Sequence, residues 1–255
     1  MRERTDLDIA RLSRELGIDI AVDLMGFTQA TRLRCFSYRC APVQVSYLAY
    51  PGTIGASYMD YVIADKVVIP PHAQADFTEK VVYLPHSYQV NDSQRKVADR
   101  TFSRDELGLP ATGFVFCCFN NNFKILPPTF DGWMRILHAV EGSVLWLLED
   151  NPIAARNLRR EAQARGISAD RLVFASRVPM DQHLARQRMA DLFLDTLPYN
   201  AHTTASDALW VGLPVLTCSG QSFASRVAAS LLHAVGLPEL VTQTQSAFEA
   251  RAIEL

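Results

Sequence analysis

The second half of the chain alternates short apolar runs with segments of helical spacing, and this pattern restricts the possible folds most strongly. One such run is Val144-Leu145-Trp146-Leu147-Leu148, which is typical of a strand buried on both faces. The predicted strands are Phe114–Phe119, Ser143–Leu148, Arg171–Ala175, Leu192–Asp195 and Val215–Cys218. The predicted helices are Pro128–Val140, Ile153–Gly166, Met180–Met189, Thr203–Val211 and Ser222–Val235. This alternation predicts a doubly wound parallel sheet, whose ligands bind beyond the carboxyl ends of the strands.

The first half carries a similar but shorter pattern. The predicted helices are Thr5–Leu16 and Thr31–Tyr38, and the predicted strands are Ile18–Leu24, Val43–Tyr50, Tyr61–Asp65 and Lys80–Pro85. A polar stretch from Asn91 to Pro110 separates the two halves and has the composition of a linker. We therefore predict two domains, residues 1–100 and 101–255.

Composition narrows the function classes. A formal net charge of −2 gives no electrostatic reason to expect nucleic acid or an anionic membrane as a partner. No apolar run approaches the roughly 20 residues that span a bilayer, and the N-terminus lacks the apolar core of a signal peptide. The five cysteines form no CxxC pair and have no histidine at zinc spacing. We expect a cytoplasmic protein with reduced cysteines, no metal site and no cofactor.

The stretch Asn200-Ala201-His202-Thr203-Thr204 is the first candidate binding element. It precedes a predicted helix, and helix N-termini offer unpaired N–H groups and a positive dipole end that suit phosphate. His202, Thr203 and Thr204 therefore form a candidate diphosphate cradle. The alternative is a threonine-capped helix with an incidental histidine.

Lys124 is the second candidate phosphate ligand. It follows the strand Phe114–Phe119 through the polar turn Asn120-Asn121-Asn122-Phe123, from which an ammonium group can reach a phosphate. The alternative is a solvated lysine at a helix start, with asparagines that only form the turn.

Three further residues suit a nucleoside. His183 and Arg186 lie on one face of a predicted helix, where an imidazole can stack on a base and a guanidinium can bond a base carbonyl. Asp207 can accept hydrogen bonds from ribose hydroxyls. The alternative for each is an exposed polar residue on a helix surface.

The sequence contains no GxGxxG, GxxxxGK[ST] or GxSxG motif. These absences argue against a dinucleotide fingerprint, a P-loop and a nucleophile elbow. Phosphate ligands without a nucleophile or metal cluster fit group transfer from a nucleotide-activated donor, in which the protein positions and stabilises a diphosphate leaving group.

Several motifs resemble one known family. They run in order from about Gly17 to Leu240 and comprise Tyr50-Pro51-Gly52-Thr53, Met59-Asp60-Tyr61, Leu84-Pro85-His86, Phe119-Asn120-Asn121, Leu194-Asp195-Thr196, Asn200-Ala201-His202-Thr203-Thr204 and Ser225-Arg226-Val227-Ala228-Ala229-Ser230. They are similar to the catalytic half of the O-GlcNAc transferase and SPINDLY-like family, glycosyltransferase family 41. The resemblance implies a GT-B fold, an α/β architecture of two Rossmann-like doubly wound parallel-sheet domains. It also implies that the N-terminal domain is incomplete here.

The resemblance further implies inverting, metal-independent transfer of N-acetylglucosamine from UDP-GlcNAc to Ser or Thr of protein acceptors. By position, Lys124 and His202 match the catalytic phosphate ligands, Thr203 and Thr204 match the rest of the cradle, and Asn121 stands near the diphosphate. By the same positional match, the resemblance implies that His183 stacks on uracil, Arg186 contacts the base and Asp207 contacts the ribose. It also implies that the loop with Leu48, Ala49 and Pro51 lies near the sugar.

The chain departs from the family at several points. Met180 replaces a lysine of animal relatives, Asp19 a histidine, and Ala49 a glycine. An earlier Asp-Phe-Gly…His loop and the tetratricopeptide repeats expected in the full-length protein are absent from this sequence. Two alternatives therefore stay open: another donor, such as GDP-fucose or UDP-glucose, and an inactive nucleotide-sugar-binding fragment.

Overall fold

The computed structural model describes residues 3–255 and divides into two compact units. One unit runs to Val90 and includes Ser222–Ala224, and the other comprises Asn91–Gln221 and Ser225–Leu255.

The first unit is built on a parallel sheet of four strands within the described residues, in the order β1-β2-β3-β4. The strands are β1 (Ile20–Asp23), β2 (Val43–Ser46), β3 (Tyr61–Ala64) and β4 (Lys80–Tyr83), and the helices are α1 (Asp6–Glu15) and α2 (Leu33–Ser37). Thr5 caps α1 by accepting a hydrogen bond from the Asp8 N–H, as its sequence position indicates. Leu33, Phe36 and Met59 lie in the apolar core of this unit.

The predicted strand Val43–Tyr50 is too long. β2 ends at Ser46, and Leu48 has a φ of 78°, in the left-handed region that β-strands do not use. The backbone therefore turns at the carboxyl end of β2, where sequence patterning alone favoured a continued strand.

The second unit is built on a larger parallel sheet. Its strands are β5 (Val115–Cys118), β6 (Val144–Leu148), β7 (Leu172–Ala175), β8 (Leu192–Leu194), β9 (Val215–Cys218) and β10 (Val241–Thr242). Its helices are α3 (Pro127–Ala139), α4 (Pro152–Ala164), α5 (Met180–Gln187), α6 (Thr203–Trp210), α7 (Val227–Ala234) and α8 (Gln245–Glu254). Every residue of β5 and β9 is buried, which explains why these strands are apolar apart from Thr217. The predicted alternation of strands and helices is confirmed.

The sequence predictions for the second unit differ from the structure near its C-terminal end. The last predicted helix begins at Val227 and not at Ser222, because Phe223–Ser225 form a separate 3-10 turn. β10 and α8 were not predicted, since β10 has two residues and α8 has a weak apolar stripe.

The strand order of the second sheet is β10-β9-β8-β5-β6-β7. The chain adds β6 and β7 on one side of β5 and then returns to place β8 on the other side. The order therefore reverses between β5 and β8, and ligands of open α/β sheets bind at such a switch point, beyond the carboxyl ends of the strands. No helix in the described residues is both long enough and apolar enough to cross a membrane.

Candidate functional site

The carboxyl ends of β5 and β8 are joined by side-chain hydrogen bonds. Asn120, directly beyond β5, donates from Nδ2 to Thr196 Oγ1 beyond β8 at 2.8 Å. Its Oδ1 accepts from the Thr204 hydroxyl at the start of α6. Asn120 is 3% exposed, so it fixes the three segments to one another rather than forming only a turn.

Lys124 lies beside this junction, at the end of a 3-10 turn over Asn122–Lys124. Its Nζ donates to the carbonyl oxygen of Asn200 at 2.8 Å and lies 4.2 Å from the centre of the Tyr199 ring. Burial lowers the pKa of Lys124, and the nearby Asp195 carboxylate and Cys118 oppose that effect. The structure therefore places this ammonium group in a partly desolvated position and not on a solvated surface.

The loop between β8 and α6 is organised by Asp195. Its Oδ1 accepts from the N–H groups of Thr196 and Ala201 at 2.7 and 2.6 Å, and its Oδ2 accepts from the Thr217 hydroxyl at 2.6 Å. Burial raises the pKa of Asp195 to about 6, although these three donors and Lys124 favour the ionised form. Asn200 also braces the loop by donating from Nδ2 to the Thr196 carbonyl oxygen at 2.8 Å.

α6 begins without a side-chain cap. His202 is the N-cap residue, its side chain makes no capping bond, and its ring stacks on Tyr199 with centroids 4.8 Å apart. Thr203 is the first helical residue, and the Thr204 hydroxyl bonds Asn120 instead of the helix end. The threonine-cap alternative is therefore wrong. The N–H groups of the first turn have no partner within the helix and suit an anion.

His183 and Arg186 lie on α5 and contact each other. Arg186 donates from Nε to His183 Nδ1 at 3.1 Å and from Nη1 to the Ser176 carbonyl oxygen at 2.7 Å. Because Nδ1 accepts, the neutral ring carries its proton on Nε2. Burial and the cations of Arg186 and Arg177 lower the pKa of His183 to about 4, so the ring is neutral at pH 7. Phe119 packs edge-on against it, with ring centroids 5.0 Å apart.

Asp207 is buried on α6 and paired with Arg95. The adjacent Ser206 accepts a hydrogen bond from the Asn91 amide, so two residues of the polar segment after residue 90 lie against α6. Burial raises the pKa of Asp207, while Arg95 opposes that effect. The residue predicted for the ribose is thus an ion-paired acid rather than a solvated surface one.

The remaining predicted residues lie at strand ends. The Asn121 side chain is exposed, and its carbonyl oxygen accepts from the Lys124 N–H at 3.0 Å. Leu48, Ala49 and Pro51 follow β2 in the first unit. Among residues 3–255, no group of three His, Cys, Asp or Glu side chains lies close enough together to hold a metal ion.

Comparison with known proteins identifies the family. A model described as "Glycosyl transferase family 41" matches residues 6–103 and 96–255. The chain belongs to glycosyl transferase family 41. It therefore has the GT-B type of α/β fold that the motifs predict, with two Rossmann-like units on parallel sheets.

Other members of family 41 resemble the chain along almost its whole length. It is 37% identical over 253 residues to a protein of Arabidopsis thaliana named "Probable UDP-N-acetylglucosamine--peptide N-acetylglucosaminyltransferase SEC". It is 32% identical over 255 residues to the SPINDLY protein of Solanum lycopersicum, whose name is otherwise the same. Each alignment covers 97% of this chain, and the chain spans about a quarter of each relative, 26% and 27% respectively.

The solved structure of a mutant O-GlcNAc transferase from Thermobaculum terrenum superimposes with a TM-score of 0.88 at 36% identity. That match covers 98% of this chain and 48% of the other. A glycosyltransferase from Rickettsia africae superimposes with a TM-score of 0.56 at 9% identity over 98% of this chain and 75% of that one, which supports the fold alone.

Several residues of the candidate site were not found as site residues by sequence reasoning. Asp195 ends an apolar run and reads as the edge of a strand, and Arg95 lies in a polar segment without periodicity. Asn120 reads as a turn former, and Asn200 lies in the loop before a predicted helix. A buried hydrogen-bond network between residues 76 positions apart leaves no local signal that spacing can detect.

Proposed function

We propose that this chain is the donor-binding catalytic region of a protein O-GlcNAc transferase. The reaction is inverting and metal-independent transfer of N-acetylglucosamine from UDP-GlcNAc to Ser or Thr hydroxyls of proteins. The observation that carries the proposal is the partly buried Lys124 ammonium beside the loop that leads into α6, at the sheet's switch point. The names of the family relatives support the choice of donor and acceptor.

In the proposed reaction, negative charge develops on the diphosphate, next to Lys124 and the start of α6. The acceptor oxygen attacks the anomeric carbon and loses its proton, while the bond from that carbon to the diphosphate oxygen breaks and UDP leaves. A single displacement inverts the configuration. Lys124, His202 and the N–H end of α6 with Thr203 and Thr204 stabilise the growing negative charge, a role that a divalent cation plays in other transferases. Asn121 lies near the same diphosphate.

At the nucleoside end of the proposed site, the side chain that contacts the base is the neutral imidazole of His183. His183, uncharged at pH 7 and held by Arg186, stacks on uracil and presents Nε2–H at its edge. Arg186 contributes to base recognition, and Asp207 with Arg95 to the ribose. Leu48, Ala49 and Pro51 form the sugar-proximal loop of the first unit. Leu48 is held at a positive φ, a strained conformation that is frequent at ligand sites.

The test is sugar transfer by the full-length protein carrying Lys124→Ala. A charged hydrogen bond of this kind contributes about 1.5–3 kcal/mol, so transfer from UDP-GlcNAc to protein should fall about 10- to 150-fold. Lys66→Ala, an exposed lysine of the first unit, is the matched control and should transfer normally. Circular dichroism checks that both variants are folded.

Normal turnover by Lys124→Ala would remove the assignment. Parallel reactions with GDP-fucose and UDP-glucose test the donor, an excess of EDTA tests the metal independence, and NMR of the product's anomeric proton tests the inversion.

A further inference from the structure

The most deeply buried acid of the candidate site is a carboxylate that the proposed chemistry does not use. Asp195 is 3% exposed and directly follows β8. Its two oxygens accept hydrogen bonds from Thr196, Ala201 and Thr217, whose own exposures are 1%, 0% and 0%. Burying a carboxylate costs free energy unless hydrogen bonds compensate for the lost water. Its negative charge also raises the pKa of a neighbouring cation.

One peptide group connects this acid to Lys124. The Ala201 N–H donates to Asp195 Oδ1 at 2.6 Å, and the carbonyl of the same peptide, on Asn200, accepts from Lys124 Nζ at 2.8 Å. In a trans peptide the N–H and C=O bonds point in opposite directions. The carboxylate and the ammonium therefore flank one peptide dipole, and each polarises it in the direction that strengthens the other's hydrogen bond.

We propose that Asp195 is the positioning residue of this site: through the Asn200–Ala201 peptide, its buried carboxylate fixes the position and maintains the charge of the Lys124 ammonium. The proposal rests on the proposed function in so far as Lys124 meets the diphosphate. Asp195 itself touches no substrate.

The surrounding groups fit this role. The ionisable side chains near Asp195 are Lys124, Cys118 on β5 and Cys218 on β9, and the pKa of both thiols is raised by burial, so they are neutral at pH 7. Burial lowers the pKa of Lys124, and the largest opposing effect comes from Asp195. The Tyr199 ring face is the other electron-rich group beside the ammonium.

The alternative is a purely structural role, in which Asp195 only holds the loop. Asp195→Asn separates the two. The amide oxygen can replace Oδ1, and the amide nitrogen can donate to a reoriented Thr217 hydroxyl, so the loop keeps its hydrogen bonds while the charge is lost. A structural role predicts that this variant behaves as the native protein does.

The decisive experiment measures the charge state of Lys124 without any ligand. The chain contains four lysines, Lys66, Lys80, Lys96 and Lys124, so ¹³Cε-lysine NMR gives few signals, and Lys124→Arg assigns the one of interest. We expect Asp195→Asn to lower the Lys124 midpoint by about one unit or more, as the loss of a nearby opposite charge does. Asp191→Asn, which alters an acid at the opposite end of β8, should leave it unchanged. An unchanged Lys124 midpoint in Asp195→Asn overturns the proposal.

A second arm measures UDP affinity by calorimetry against pH. Because only the charged ammonium binds the diphosphate, Asp195→Asn should weaken UDP binding about twofold at a pH where its Lys124 is half neutral and the native Lys124 is charged. In the lysine NMR titration, the native Lys124 signal should show a second inflection where Asp195 titrates, because the two groups share the Asn200–Ala201 peptide. Thr217→Val removes one hydrogen bond that holds the pKa of Asp195 down, so it should move that inflection to higher pH.

The two arms separate this proposal from the proposed function. Native protein that fails to bind UDP removes the proposed function, while the lysine titration still decides the role of Asp195. A Lys124 signal that does not respond to the titration of Asp195 in native protein, or an inflection at the same pH in native protein and Thr217→Val, contradicts the proposal even if Asp195→Asn does not fold.

Discussion

Lys124 and Arg186 lie at two ends of the candidate site and are both partly or fully buried cations held by a backbone carbonyl. Lys124 donates to Asn200 and Arg186 donates to Ser176, at 2.8 and 2.7 Å. They differ in their surroundings. Lys124 has the buried carboxylate of Asp195 behind one peptide group, whereas burial alone accounts for the lowering of the Arg186 pKa to about 10.

This difference separates two uses of a buried cation. A compensated cation keeps its charge and can stabilise a leaving diphosphate. Arg186 instead donates to His183 Nδ1 and, as a cation, disfavours protonation of that ring. The result is a neutral, oriented imidazole beside Phe119, which suits an uncharged base.

The largest expected difference is in the free energy of unfolding. Asp195→Ala leaves three buried donors without their acceptor and should lower it by about 3–5 kcal/mol. Arg186→Met removes a cation that has no carboxylate partner and should lower it by about 1–2 kcal/mol, because the loss of hydrogen bonds is offset by the relief of desolvation. Urea titration at pH 7 measures both. Equal losses would show that the two cations do not differ as described.

The pH dependence of stability should reveal opposite contributions from the two ends. The pKa of Asp195 is raised from 3.8 to about 6, so the folded state binds its proton more tightly, and this contribution falls as pH rises through that window. The pKa of His183 is lowered from 6.5 to about 4, so its contribution rises with pH over nearly the same window. Each contribution amounts to roughly 3 kcal/mol.

Single variants separate the two contributions. Between pH 4 and pH 6, the free energy of unfolding should rise more steeply with pH in Asp195→Asn than in the native protein, and less steeply in His183→Asn. Parallel curves for all three proteins would contradict the assigned pKa directions.

Physical reasons explain which parts of this account were predictable from sequence. β9 was predicted with the correct ends because both of its faces are buried and Val215–Cys218 is flanked by turn residues. His202, Thr203, Thr204 and Lys124 could be proposed as candidates from the sequence because each follows a predicted strand at the edge where ligands bind.

Contacts between distant residues were not predictable in the same way. Arg95 and Asp207 are 112 positions apart, and no periodicity connects a polar loop with a helix. Asp195 ends an apolar run, and the sequence around it does not indicate that its carboxylate is buried and accepts three hydrogen bonds. β2 ends earlier than predicted because the backbone turns at Leu48, which has a positive φ. In a non-glycine residue such a conformation is set by tertiary contacts, so the sequence does not reveal it.

The most direct test of two functionally distinct ends is a comparison of UDP with uridine as ligands, by calorimetry on native protein, Lys124→Ala and His183→Ala. Lys124→Ala should lose about tenfold or more in affinity for UDP and bind uridine as the native protein does, since uridine has no phosphate. His183→Ala should weaken both ligands by a similar factor. Equal loss of UDP and uridine affinity in Lys124→Ala would contradict the account.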